Sequence, residues 1–122
     1  MSHLPLDTPI FHKVYDLYKL FHSYHNRIPK SERYTLWQKC ETTSLVLLEV
    51  LIETNRKKGD ERVESLSIMS DKLDLLKVLV RLSKETRAID SKQYIEIQAI
   101  LQEIGKMIGG WIKTLKPVPH PI

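Results

Sequence analysis

The chain has 122 residues, 42% of them hydrophobic and 28% charged, which is enough for one small core and leaves little room for a second domain. Its formal charge is +4, a mild excess that permits an acidic or nucleic-acid partner without requiring one. A single cysteine, Cys40, excludes an internal disulfide.

The first segment, "MSHLPLDTPIF", lacks the basic start and long apolar run of a secretory signal. The longest near-apolar run, "LVLLEVLI" (45–52), is too short to span a bilayer. These features lead us to expect a soluble, cytoplasmic protein without membrane attachment. Thr8 can cap a helix and Pro9 suits its first position. Ile10, Val14, Leu17, Phe21, Tyr24 and Ile28 then recur at spacings of three and four, which predicts a helix over about 9–28 ended by Pro29.

A second helix is expected over about 30–57, roughly 40 Å long if continuous. Trp37, Cys40, Ser44, Leu47 and Leu51 form one stripe, widened by Leu36, Leu48 and Ile52. "NRKKGD" closes it, with Gly59 as the cap. The third helix, about 60–87, carries two apolar stripes. One is Leu66, Met69, Leu73, Leu76 and Val80; the other is Ile68, Leu75, Leu79 and Leu82. A polar line of Ser70, Asp74, Lys77, Arg81 and Lys84 lies between them. The fourth helix, about 90–114, starts at a capping box of Asp90 and Gln93. Its stripe runs through Tyr94, Ile97, Leu101, Ile104, Ile108, Trp111 and Leu115. The tail 116–122 is proline-rich and expected to be extended.

Four helices with short joints predict an all-α, up-down-up-down bundle as a single domain. The second and third helices carry more apolar surface than one small interior can use, so oligomerisation is expected.

Catalytic or metal chemistry finds little support. His22 and His25 are three apart, but no further ligand joins them at suitable spacing. Glu49 and Glu53 share a helix face without the Glu-x-x-His companions of a carboxylate metal site. There is no phosphate loop, nucleophile elbow or dinucleotide fingerprint. No enzyme, metal or cofactor is expected. The better candidate is the basic face of Lys77, Arg81 and Lys84 with Arg87 close by, suited to a phosphate or an acidic partner. Lys84 and Arg87 also complement the helix dipole. Three of the four glycines fall within "IGKMIGGWIK" (104–113), inside a helical pattern where each costs about 1 kcal/mol against alanine. Gly105 and Gly109 share a face, which predicts close approach of another backbone, with Gly110 and Trp111 beside it.

"EIGKMIGGWIK" resembles the C-terminal helix signature of the accessory variability determinant proteins of diversity-generating retroelements. The matching residues are Gly105, Gly109, Gly110, Trp111 and Ile112. "PKSERYTLWQKC" resembles the start of that family's second helix, with Arg33, Tyr34 and Leu36 in place, and "LDLLKVLVRL" resembles its third. The resemblance implies a four-helix bundle assembled as a cyclic pentamer. It also implies a non-enzymatic partner of a reverse transcriptase that can bind RNA or DNA, with third-helix cations at Lys77 and Arg81. Proteins encoded in intervening sequences of ribosomal RNA genes share the fold and are the alternative. Their Asn-Ile-Ala-Glu-Gly-like stretch is replaced here by "LIETNRKKGD".

Overall fold

The computed structural model describes residues 8–115, all in helices or the joints between them. Helix α1 is Pro9–Tyr24, followed by a 3-10 turn, His25–Arg27. A four-residue helix α2 is Lys30–Arg33, and α3 is Leu36–Arg56. Helices α4 (Gly59–Glu85) and α5 (Ser91–Leu115) complete the chain. The four long helices form a closed ring of neighbours: α1 packs on α3, α3 on α4, α4 on α5, and α5 on α1.

Side-chain bonds set the antiparallel register. The Trp37 indole donates to the Phe21 carbonyl at 3.1 Å, joining the start of α3 to the end of α1. The Thr54 and Ser65 hydroxyls pair at the other end of α3, where α4 begins. Cys40 meets Ser83 near the end of α4, and Tyr24 at the end of α1 reaches Glu96 near the start of α5. One end of the bundle therefore gathers the end of α1, all of α2, the start of α3, the end of α4 and the start of α5.

The spacing-derived stripes form the core. Ile10, Val14, Leu17, Phe21, Tyr24 and Ile28 are all buried, as are Trp37, Cys40, Leu47 and Leu51. Leu66, Met69, Leu73, Leu76 and Val80 meet Ile97, Leu101, Ile104 and Ile108. Full burial of such a side chain contributes about 1.5–3 kcal/mol. Thr43, Ser44, Thr54, Ser65 and Ser83 are also buried. Ser44, Thr54 and Ser83 donate to Glu41, Val50 and Leu79 carbonyls, so their burial leaves no hydroxyl proton unmet.

The expected second helix over 30–57 is not continuous. It breaks at Tyr34 and Thr35, between α2 and α3. The Thr35 hydroxyl bonds back to the Ser31 and Glu32 carbonyls, and its backbone stands at φ −119°, ψ −92°. A threonine that satisfies itself this way offers the chain an alternative to the helix. Arg33 fixes the break by donating from Nη2 to the Asn26 and Ile28 carbonyls at 3.2 and 3.0 Å. The first helix also ends earlier than position 28. The 3-10 turn intervenes, and Ile28 is extended at φ −77°, ψ 133° ahead of Pro29. The capping box at the start of α5 forms in both directions, Gln93 N to Asp90 Oδ1 at 2.7 Å and Asp90 N to Gln93 Oε1 at 2.9 Å. Gly59 does not cap the second long helix as expected: α3 ends in an extended Lys57, and Gly59 opens α4 at φ +58°, a left-handed conformation that favours glycine. The proline-rich tail 116–122 lies outside the described residues.

Candidate functional site

Lys77, Arg81 and Lys84 lie on one side of α4, along its seam with α5, and each is held differently. Lys77 is half-buried. Its carbonyl accepts from the Gln98 side chain at 3.4 Å, and its ammonium runs past Gly105, 3.8 Å from where a Cβ would stand. Arg81 points to solvent and pairs with Glu85 at 3.6 Å one turn along the helix. Both side chains are more than half exposed, so the pair contributes only a few tenths of a kcal/mol. Arg81 thus remains available to a partner. The Lys84 ammonium stands 4.7 Å from the centre of the Tyr94 ring on α5.

Arg87 holds an unusual place. The end of α4 closes with Ala88 N to Ser83 O at 2.8 Å and Arg87 N to Lys84 O at 3.0 Å. This pair of bonds defines a Schellman cap, whose left-handed position normally carries glycine. Here Arg87 occupies it at φ +64°.

The antiparallel register collects further cations at the same end. The half of the bundle built from residues 17–46 and 76–102 holds ten: Lys19, Arg27, Lys30, Arg33, Lys39, Lys77, Arg81, Lys84, Arg87 and Lys92. Five carboxylates oppose them: Glu32, Glu41, Glu85, Asp90 and Glu96. The rest of the described chain has eight Lys and Arg against nine Asp and Glu. The positive charge of the described protein is therefore concentrated at one end. Lys39 and Lys92 were not singled out from the sequence. They become visible only when each cation is assigned to a helix end and the ends are paired antiparallel.

Besides Glu85 with Arg81 and Asp90 with Gln93, two further carboxylates at this end are already engaged. His25 Nδ1 meets Glu41 Oε1 at 2.9 Å, and Tyr24 donates to Glu96 Oε2 at 2.6 Å. Burial, and then the Glu96 carboxylate, push the Tyr24 phenol up to about 12. Burial likewise pushes the Cys40 thiol up to about 12, so it remains a protonated core group at neutral pH. His22 stacks on Tyr18 with ring centres 6.0 Å apart, so the two histidines have different partners. Among the described residues, no group of three or more His, Cys, Asp and Glu side chains could hold a metal ion.

The glycines divide. A Cβ on Gly105 would stand 3.3 Å from Leu73 Cδ2, so α5 approaches α4 closely there. A Cβ on Gly109 or Gly110 would meet nothing within 4 Å. Within the chain, then, the close approach expected of this face is made at Gly105 and not at Gly109. Gly110 and Trp111 instead line an open apolar cleft of about 340 Å³ with Thr8, Pro9, Ile10, Asn55 and Met107. The Arg62 guanidinium stands 5.7 Å from the Trp111 ring. No helix among the described residues is long and apolar enough to cross a membrane.

These features define a small all-helical bundle with a cation-rich end and an apolar cleft beside Trp111. The bAvd-like family model matches residues 10–115, and the chain belongs to that family. The match takes in all four long helices apart from the first residue of α1. No curated protein matches the chain in sequence.

Proposed function

We propose that this protein is a non-catalytic accessory subunit of a diversity-generating retroelement. It binds the element's reverse transcriptase and its template RNA or cDNA in the cytoplasm and supports mutagenic copying. Membership of the bAvd-like family supports the retroelement setting. The observation that carries a binding role is the concentration of ten Lys and Arg at one bundle end, with Lys77, Arg81, Lys84 and Arg87 along its α4 side.

The working form is a cyclic homo-oligomer, a pentamer by resemblance. Leu45, Ile68, Val78 and Leu82 are each at least 39% exposed, and Leu48, Ile52 and Leu75 beside them are half-buried. The Thr54–Ser65 and Cys40–Ser83 pairs place Leu45 level with Val78, and Leu48 level with Leu75. The two helices thus share one apolar flank, a surface suited to burial by another subunit. Repetition of the cation-rich end around a ring would add avidity without new chemistry.

The test is the double variant Lys77→Ala/Arg81→Ala, compared with wild type for capture of the cognate polymerase and for template RNA binding at two salt concentrations. Light scattering should give the same mass for both, several times 14.3 kDa. Loss of two phosphate contacts should weaken RNA binding and reduce its salt slope by about 1.5. Unchanged binding in both assays would leave this face merely solvated, and a monomeric wild type would remove the assembly.

A further inference from the structure

We infer that the break between α2 and α3 is a stacking platform for unpaired nucleotides, with Tyr34 as the ring on which a base stacks. The inference rests on the nucleic-acid half of the function proposed above. It names the kind of strand recognised and the residue that recognises it.

Tyr34 is 66% exposed. The other exposed tyrosine, Tyr15, is already stacked on Phe11, with ring centres 5.8 Å apart and planes 20° apart. Tyr34 has a single aromatic neighbour, His25, which meets it edge-on at 6.2 Å and 76°. An edge contact steadies a ring without covering both its faces. His25 is itself fixed by Glu41.

The backbone beneath Tyr34 is rigidly placed. Arg33 ties α2 to the preceding turn through the Asn26 and Ile28 carbonyls, and Thr35 bonds back to Ser31 and Glu32. These bonds interrupt the helix and leave the ring exposed at the interruption. A continuous helix would have needed no such clamp.

The surroundings are cationic. Arg27, Lys30 and Lys39 flank the break in sequence, are exposed, and make no ion pair among the described residues. Of the nearby carboxylates, Glu41 is engaged by His25, and Glu32 is half-buried. Exposed cations that follow a phosphate chain, interleaved with an aromatic face that receives a base, are the two parts of single-strand recognition. A duplex would use the cations alone, because its bases are already stacked on one another. A carboxylate-bearing protein surface would use the cations and the Tyr34 hydroxyl, as Glu96 uses that of Tyr24, whereas an unpaired base uses the π-face of the ring.

The experiment measures fluorescence anisotropy of a labelled oligouridylate of about 20 nucleotides and of a double-stranded RNA of the same length, across a salt series. The proteins are wild type, Tyr34→Ala, Tyr34→Phe and Lys30→Ala, each checked for wild-type melting and oligomer mass. Tyr34→Ala should weaken oligouridylate binding roughly tenfold, with its salt slope unchanged, because stacking releases no counterions. Tyr34→Phe should restore the affinity. Duplex binding should be equal in Tyr34→Ala and wild type. Lys30→Ala should weaken both ligands and lower the salt slope. Equal oligouridylate affinity in Tyr34→Ala and wild type would overturn the inference, as would an equal loss on single strand and duplex. Loss of nuclease-treated polymerase capture in Tyr34→Ala, with oligouridylate binding intact, would overturn it too and make the break a protein-docking surface. If the wild type fails to capture the polymerase but shows Tyr34-dependent oligouridylate binding, the platform stands and the retroelement role falls.

Discussion

The two ends of this bundle are built on different terms, and each has one of the two tryptophans. At the cation-rich end Trp37 is wholly buried, edge-on to Phe21 at 5.3 Å, with its indole N–H satisfied by a carbonyl. At the other end Trp111 is half-buried in the wall of an open cleft, beside two glycines where an added Cβ would meet nothing within 4 Å. The end that gathers repelling cations thus has the more deeply buried tryptophan, while an arginine clamps a joint at each end: Arg33 on the Asn26 and Ile28 carbonyls, and Arg62 on the Thr54 and Asn55 carbonyls. A surface that concentrates charge loses stability through self-repulsion, so packing beneath it must offset that loss. The other end has nearly balanced charge, and its tryptophan lies beside open space rather than within the core.

The largest test of this contrast is to remove each tryptophan in turn. Trp37→Ala should cost about 3–5 kcal/mol in urea unfolding, since it leaves a large cavity and an unmet carbonyl. Trp111→Ala should cost about 1–2 kcal/mol at fixed protein concentration, because its ring is only partly buried, in the wall of an open cleft. Similar losses from both would mean that the ends are equally packed, and that another subunit covers the cleft around Trp111.

High pH should act on the cation-rich end first. Tyr24 and Cys40 both lie there, and both are held protonated in the fold well above their ordinary values of 10.0 and 9.0. In the unfolded chain they ionise at those ordinary values, while the folded protein keeps its protons to about 12. The unfolded state therefore binds fewer protons as pH rises, and stability present below pH 9 is lost progressively between 9 and 12. Melting followed over this range should fall. Glu96→Gln should lessen the Tyr24 part by removing the carboxylate that opposes its ionisation. A flat profile across that window would contradict the burial of these two groups.

The glycines sharpen the picture of the end around Trp111. Gly109→Ala should raise protomer stability by up to about 1 kcal/mol, because the helix gains propensity and the new methyl group meets nothing. Gly105→Ala should gain less or lose, since Leu73 must yield a few tenths of an ångström. Gly109→Leu is the variant that reports on assembly. If another subunit approaches this face, the larger side chain should lower the oligomer mass in light scattering while the protomer stays helical by circular dichroism. An unchanged mass would leave Gly109 and Gly110 without a packing role between subunits.

How far these features could be read in advance depended on their range. The core was legible because alternating three- and four-residue spacing is a local signal, and Leu17, Leu47, Leu76 and Leu101 needed only that. The break at Tyr34 was not, because Thr35 and Arg33 create it through side-chain bonds to the backbone, which hydrophobic periodicity does not register. The α4 face of Lys77, Arg81 and Lys84 was legible from one helix. The wider end was not, because Lys39 and Lys92 join it only through the pairing of distant helix ends. Gly105 could not be separated from Gly109 either. Both sit in the same pattern, and only the position of Leu73 distinguishes them.

The smallest expected effect concerns Arg87, where stability and binding should part. A non-glycine residue in the left-handed region costs about 1 kcal/mol, and the Schellman bonds around Arg87 would form equally well with glycine. Arg87→Gly should therefore raise the unfolding free energy by about 0.5–1 kcal/mol, the opposite of what removing a useful side chain normally does. The same variant removes one exposed cation from the crowded end, so its RNA affinity should fall and its salt slope should drop by about 0.7–0.9 if Arg87 meets a phosphate. A strained backbone persists only where something outweighs it. Gain of stability with loss of affinity would identify that something as binding. Gain of stability with affinity intact would place Arg87 outside the contact surface and confine the site to the α2–α3 break and the Lys77 and Arg81 face.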